Sequence, residues 1–270
     1  MSYQVVEESQ IERLLSLLLI GESCTLLALP GAGRTGLATQ LTKTETFKKS
    51  VSSKDKDKYQ KFYIDLAIDP HEWEQQVLLQ LSHLTGKDSI VEAFQKLRID
   101  GKAVIIIFDN YTYNKKVTLS ISKYRNLFRD TVRFLFLMRM SDYSSFDTDG
   151  YEASLELLHN TVHHPYLPRK LTFKFIDTNS KILQVNVTES LKKDIYEFAG
   201  GIPVLIKNYL RFLKKYKTSE EVESSTEMRI VVKKLWNDFS DKEKQVILNQ
   251  YFEGQNEVDP QVRAYLKKYG

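Results

Sequence analysis

A single cysteine, Cys24, in 270 residues excludes an intramolecular disulfide and any cysteine-based zinc site. Of five histidines only His163 and His164 are adjacent, so no metal-ligand spacing emerges, and no Ser, His and Asp arrangement can be read. No uninterrupted apolar run approaches ~18 residues, and the first residues lack the basic-then-apolar layout of a signal peptide. These absences predict an intracellular protein without a membrane partner, cytoplasmic or, in a eukaryote, nuclear. Neither sign of charge dominates: 39 basic residues are interspersed with 35 acidic ones, which permits nucleic-acid binding without requiring it. A composition 42% hydrophobic and 27% charged is that of an ordinary globular protein, and the length suits two compact units better than one. No internal repeat is evident.

What the chain does have is one glycine-rich turn between an apolar run and a helix-forming segment, CTLLALPGAGRTGLATQL, residues 24–41. Glycines let backbone N–H groups turn inward around an anion, while the following helix points its positive N-terminus at it. Against the pattern G-x-x-x-x-G-K-[ST], Ala28 replaces the first glycine. Leu29, Pro30, Gly31 and Ala32 fill the spacer, and Gly33, Arg34 and Thr35 replace Gly-Lys-Thr, with Gly36 next. Arg34 keeps the positive charge, but as a wide planar fork in place of a compact ammonium. Thr35 keeps the hydroxyl that ligates Mg²⁺ in such loops. The competing reading is a strand-to-helix turn with no ligand.

Strands and helices alternate on either side of this turn. Residues 3–20 place Ile11, Leu14, Leu15, Leu18 and Leu19 on one helical face, with Glu8 or Ser9 as the cap. A strand at 25–29 enters the loop, whose helix runs to about 41–47, and the charged segment 48–58 reads as an exposed loop. Next come a strand at 62–67 and a helix at 70–84 that turns Trp73, Val77, Leu78 and Leu81 inward, then a helix at 89–97. Residues 103–108 are the most apolar strand, buried on both faces, with Asp109 at its C-terminal end, where ligands bind in open α/β sheets. A helix at 119–129 and a fourth buried strand at 132–138 lead to Arg139, followed by a helix at 151–160 and a last strand within 163–175. The remainder reads as helices at 182–185, 191–198 and 203–216 and a polar linker at 217–225. Two more follow at 228–239 and 240–251, the latter with Ser240 and Glu243 as a capping box.

Within that order a few residues carry chemistry. A carboxylate at the end of a strand beside the loop holds Mg²⁺ through its water shell, and Asp109 stands there; its plainer reading is a strand-ending turn residue. Asn110 occupies the position of a water-activating acid, and it can orient water but cannot accept a proton. Arg139 is either a reporter of a γ-phosphate or a surface ion-pair residue. Gly200, Gly201, Ile202 and Pro203 stop one helix and start the next. The helix they start carries Lys207, Arg211, Lys214, Lys215 and Lys217, a solvated basic face or a nucleic-acid contact.

Taken together, these segments resemble the AAA+ and STAND ATPases. Residues 5–41 look like the N-terminal helix plus Walker A motif, VIIIFDN like the Walker B strand, FLFLMR like the sensor-1 strand, and AGGIPVLIKNYL like the Gly-x-Pro motif of the STAND and NB-ARC lid. The resemblance implies a P-loop core at 1–175 with a five-stranded parallel sheet in the order 5-1-4-3-2. It further implies a helical lid at 176–220 with Pro203 near the adenine, and the first part of a winged helix at 226–270. Pro30, Gly31, Ala32, Gly33, Arg34, Thr35 and Gly36 would hold ATP or ADP, Thr35 and Asp109 would hold Mg²⁺, and Asp109, Asn110 and Arg139 would act on the phosphates. The expected function is an adenine-nucleotide switch with slow or absent hydrolysis, partnered by another protein or a second copy. The alternatives are a pseudo-ATPase scaffold and an origin-recognition-like DNA binder.

Overall fold

The most apolar segment of the chain, AVIIIFD, is buried at every position and lies inside a five-stranded sheet. The structure is a computed structural model and describes residues 8–42, 58–67, 69–144 and 157–253. Two compact units emerge, the first made of Val6–Ala28 and Arg34–Pro165. Its elements in chain order are α1 (Glu8–Leu19), β1 (Cys24–Ala28), α2 (Arg34–Thr42) and β2 (Tyr59–Asp65). A 3-10 turn (Pro70–Glu72) then precedes α3 (Trp73–Thr85), α4 (Ile90–Ile99), β3 (Ala103–Asp109) and α5 (Lys115–Leu127). The unit closes with β4 (Val132–Arg139), α6 (Met140–Ser144) and β5 (Thr161–His164).

The strands lie in the order β2-β3-β4-β1-β5, each neighbouring pair parallel, which is the expected 5-1-4-3-2 read from the other edge. A parallel sheet needs apolar cover on both faces, and successive residues of one strand supply it in opposite directions. Phe134 and Phe136 of β4 join Trp73, Phe94 and Phe108 in an aromatic core on one face. Leu135 and Leu137 join Leu14, Leu15 and Leu18 of α1 and Leu37 and Leu41 of α2 on the other. Trp73 stands edge-on to Phe108 and to Tyr124, with ring centroids 5.5 and 5.7 Å apart.

Two boundaries differ from the local pattern. β2 begins at Tyr59, three residues before the expected start, because its register on β3 pairs Tyr59 with Ala103 and Asp65 with Asp109. α5 begins at Lys115, not at 119, because the Asn114 side chain accepts hydrogen bonds from the backbone N–H groups of Lys116 and Val117.

The second unit comprises Leu29–Gly33 and the chain from Tyr166 onward. It contains α7 (Arg169–Leu183), α8 (Glu189–Ala199), α9 (Pro203–Phe212), α10 (Ser219–Ser224), α11 (Thr226–Asn237) and α12 (Asp241–Glu253), around Phe175, Ile176, Ile195, Ile206, Tyr209 and Met228. Here two expectations fail. The last strand is only the four residues of β5, and Phe175 lies in a helix. Pro168 does not break that helix but precedes its first residue, in an extended conformation a proline adopts without strain. The segment at 217–225 is no linker: Thr218 and Glu221 form a reciprocal capping box that starts α10. The capping box expected at Ser240 and Glu243 is present. The expected loop at 48–57, most of the helix at 151–160 and the winged-helix tail at 254–270 lie outside the described residues.

Candidate functional site

Asp109 ends β3 with no exposed surface, so its carboxylate depends on protein donors for its lone pairs. Three supply them. The Thr35 hydroxyl donates to Oδ2 at 2.7 Å, the Tyr63 hydroxyl donates to the same oxygen at 2.8 Å, and the Asn110 N–H donates to Oδ1 at 2.8 Å. Thr35 arrives from the first turn of α2 and Tyr63 from β2, one strand away from Asp109. Burial, reinforced by the hydrogen bond to Asp109, pushes the Tyr63 phenol well above its ordinary range, so it stays a donor.

Thr35 and Asp109 are thus the hydroxyl and carboxylate that sequence reasoning pairs, and they touch. Both are hard oxygen ligands of the kind Mg²⁺ takes, so the residues present fit that ion. Among the described residues no group of three or more His, Cys, Asp or Glu side chains could hold a metal, so the other ligands here would be water and phosphate oxygens.

A second network runs beside the first. The Arg34 guanidinium donates from Nη2 to the Asn110 side-chain oxygen at 3.2 Å, and the Asn110 amide nitrogen donates to Asp65 at 2.9 Å. Asp65 accepts a further bond from the N–H of Ala67 at 3.0 Å. Asn110 holds φ at 55°, a left-handed conformation that asparagine tolerates better than most residues. Tyr63 and Asp65 went unmarked in the sequence. The available signal is alternation: once β2 is registered on β3, residues 63 and 65 share the strand face that reaches Asp109 and Asn110.

The first half of the glycine turn belongs to the second unit. Gly31 has φ of 76°, and a Cβ there would come within 2.8 Å of Leu235 and Val204 and 3.0 Å of Ile202. Its carbonyl accepts the N–H of Val204 at 3.4 Å, and the Pro30 carbonyl accepts the Tyr166 hydroxyl at 2.9 Å. Ala32 is buried, with its N–H on the Leu29 carbonyl, and Gly33 turns the chain into α2 at φ of 94°. Gly36 lies within α2, half-buried. Pro203 is buried at the start of α9, between the two residues that pack on Gly31. Gly31 and Gly33 thus hold backbone conformations that residues with a side chain resist.

Arg139 is the last residue of β4, half-buried, in register with Ala28 at the end of β1. It therefore emerges at the same sheet edge as Asp109. The basic helix is less free than its sequence suggests. Lys207 lies over the Phe175 ring at 5.6 Å, and Lys215 pairs with Glu227. Burial, with Arg211 nearby, lowers the Lys207 pKa.

Neither a family model nor a curated protein matches the chain. Solved structures do. The Aeropyrum pernix ORC1 protein, determined in complex with DNA, is similar over 97% of this chain and 76% of its own, with a TM-score of 0.56 at 13% identity. A Walker-type ATPase of Pyrococcus abyssi is similar over 97% and 88%, with a TM-score of 0.56 at 11% identity. The A. pernix ORC2 protein, determined as ADPNP and ADP complexes, is similar over 97% and 84%, with a TM-score of 0.53 at 13% identity. At such identities the likeness is one of fold alone, an α/β architecture with helices on a five-stranded parallel sheet.

Proposed function

We propose that the chain binds an adenine nucleotide with Mg²⁺ through residues 30–36, turns it over slowly or not at all, and uses the difference between ATP and ADP as a conformational switch. The observation that carries this reading is the 2.7 Å hydrogen bond between Thr35 and Asp109, which brings a loop hydroxyl and a strand-end carboxylate to one point. Its fold neighbours include one protein determined with ADPNP and ADP and one described as a Walker-type ATPase.

The roles follow from the side chains. Backbone N–H groups of Gly31 to Thr35 cradle the phosphates, and Pro203, beside Ile202 and Val204, contributes to an apolar seat for the base. Thr35 and Asp109 would hold Mg²⁺, and the bound ion would neutralise phosphate charge. Tyr63 keeps the carboxylate oriented. Asn110 orients water without taking its proton, and its side-chain oxygen is engaged by Arg34, which together argue for poor hydrolysis. Arg139 distinguishes ATP from ADP from the end of β4. Residues 176–220 form the lid, and α11 with α12 begins a winged-helix piece, as the STAND and NB-ARC resemblance implies.

A fluorescent ATP analogue titrated with and without Mg²⁺ tests the reading. Binding is expected, strengthened by Mg²⁺ in the wild type and not in Thr35→Ala or Asp109→Asn, with ADP retained by both variants. No calorimetric signal at millimolar ATP would overturn it and favour the pseudo-ATPase scaffold. DNA binding through α9 and the basic residues just after it has less support, since Lys207 and Lys215 are engaged within the fold.

A further inference from the structure

Asn110 cannot take a proton, yet its side chain is hydrogen bonded to a carboxylate that can. Asp65 ends β2 in register with Asp109 at the end of β3, so the two acids stand side by side where these strands finish. Neighbouring strands lie ~4.7–4.9 Å apart, which keeps the two ends close. Asn110 reaches both acids. Its backbone N–H donates to Asp109 Oδ1 at 2.8 Å, and its side-chain nitrogen donates to Asp65 Oδ1 at 2.9 Å.

The two carboxylates are not equivalent. Asp109 is fully buried and both of its oxygens are committed, Oδ2 to the hydroxyls of Thr35 and Tyr63 and Oδ1 to the Asn110 N–H. Asp65 is half-buried, and its hydrogen bonds from Ala67 and Asn110 both fall on Oδ1. Oδ2 of Asp65 accepts none from the described residues. An ionised carboxylate has about four acceptor positions, so this oxygen has capacity for water. The other groups that meet here are donors: Thr35 and Tyr63 give their protons to Asp109, and a guanidinium such as that of Arg34 keeps its own.

Asp65 also lies close to the cation of the phosphate loop. Arg34 is one amide away, since Nη2 donates to the Asn110 side-chain oxygen at 3.2 Å while the nitrogen of the same amide holds Asp65. Beyond burial and Asp109, the Tyr63 pKa is raised by Asp65 and lowered by Arg34, so both charges lie near one hydroxyl.

We propose that Asp65 is the proton acceptor for the water that attacks the nucleotide, the acid absent at position 110 being supplied from the neighbouring strand. This assignment rests on the nucleotide binding proposed for residues 30–36 and adds to it the base. The water oxygen attacks the γ-phosphorus while one water proton passes to Asp65 Oδ2. The bond between the γ-phosphorus and the bridging oxygen breaks, and its electron pair leaves with ADP. Asp65 then releases the proton to solvent, leaving ADP and inorganic phosphate. The tether through Oδ1 limits how far Oδ2 can follow the water, in keeping with slow turnover.

The test measures binding and phosphate release separately on the full chain. Asp65→Ala should lower the rate about 100-fold, within the ~10²–10⁴ of general-base catalysis, and added formate should restore part of it. Asp65→Asn, which keeps an acceptor for the Ala67 N–H, should lose as much. Because the charge removed faces the γ-phosphate, both variants should bind ATP about threefold more tightly relative to ADP, a shift that a structural role alone would not produce. Asn110→Gly, which suits φ of 55°, should lose far less rate than Asp65→Ala; equal losses would mean that Asp65 acts only by holding the amide. That result would overturn the proposal, as would an unchanged rate in Asp65→Ala, a loss that formate does not restore, or a wild type that binds ATP without hydrolysing it. A wild type that binds no nucleotide would instead remove the reading beneath the assignment, and the assignment with it.

Discussion

Arg34 donates a hydrogen bond to Asn110 at 3.2 Å, so two of the three positions at which the sequence departs from the motifs it resembles, Ala28 being the third, are in contact with each other. Lysine and glutamate in their places would form an ion pair or be held apart by phosphate. Arginine and asparagine instead form a neutral-acceptor bond, and Asp65 fixes the far side of the amide. The departures therefore behave as one unit, and substitutions there should not add.

The first prediction concerns turnover. Asn110→Glu alone should leave hydrolysis far below the ~1–10³ s⁻¹ of typical enzymes, because the new carboxylate would pair with Arg34 rather than address water. It should also cost about 1 kcal/mol in stability, since glutamate resists the left-handed conformation at φ of 55°. Arg34→Lys with Asn110→Glu should exceed the sum of the single effects on rate. A steady-state assay of all four proteins checks it, and several turnovers per second from the wild type would defeat the premise.

Tyr63 carries the second prediction. Tyr63→Phe removes one of the two hydroxyl donors on Asp109 Oδ2 while keeping the ring, leaving the carboxylate freer to turn. Nucleotide affinity without Mg²⁺ should be unchanged and the Mg²⁺-dependent increment should shift by a factor of about 3–10, an amount set by one ordinary hydrogen bond. An unchanged Mg²⁺ titration would reduce Tyr63 to packing.

Much of the arrangement is legible without coordinates. Glycine punctuation, the buried runs at β1, β3 and β4, and the helices between them lead to a parallel sheet covered by helices and to Asp109 at a strand end, while the strand order comes only from the resemblance. What escapes is whatever depends on pairing across the sheet. Tyr63 and Asp65 gain their roles only because β2 pairs Asp65 with Asp109, and nothing local in β2 announces that register. Pro168 misleads for a different reason: proline opposes a helix from within and favours one from just before its start. At α10 the signal is present, Thr218 followed by Glu221, but a polar segment offers no periodicity to support it.

Two adjacent glycines provide a third, internally controlled prediction. At Gly201 a Cβ would meet the Leu167 carbonyl oxygen at 2.1 Å, with φ at 79°, whereas at Gly200 nothing lies within 4 Å and φ is 55°. Gly200→Ala should cost only the backbone strain, about 1–2 kcal/mol. Gly201→Ala should add an overpacking cost of about 1–3 kcal/mol and displace the Gly201–Leu167 contact. Urea midpoints of the two variants compare them directly, and equal losses would contradict the contact.

The fourth concerns alkaline pH. Burial raises the pKa of Cys24 and of Tyr63, Tyr166 and Tyr209, and pushes Tyr111 and Tyr124 up to about 12. The folded chain then holds protons that the unfolded chain releases, starting from ordinary values of 9.0 for the thiol and 10.0 for the phenols. Their contribution is complete below those values and is lost as pH rises through the folded ones. The urea midpoint should hold steady to about pH 9 and fall progressively above it. A midpoint that stays level through that range would count against these burials.

The fifth addresses the switch. Small-angle scattering recorded apo, with ADP and with ATP should give profiles that differ between the two nucleotides, because only a difference in binding free energy between states shifts their populations. Arg139→Ala should erase that difference and spare ADP binding.

The sheet order also governs how the chain is made. β1 is complete by Ala28, yet its partners are β4, where Cys24 faces Leu135, and β5, where Thr25 faces Thr161. On a translating ribosome the apolar CTLLA segment is therefore the first of the five strands to emerge, yet it waits for β4 on one side and β5 on the other, whereas β2 and β3 pair as soon as β3 is made. Until β5 is delivered β1 is an unprotected edge, the kind of surface that nascent-chain chaperones cover and that aggregation exploits. A chain stalled before Thr161 would hold a nearly finished sheet with its central glycine-bearing turn anchored to a strand open on one side.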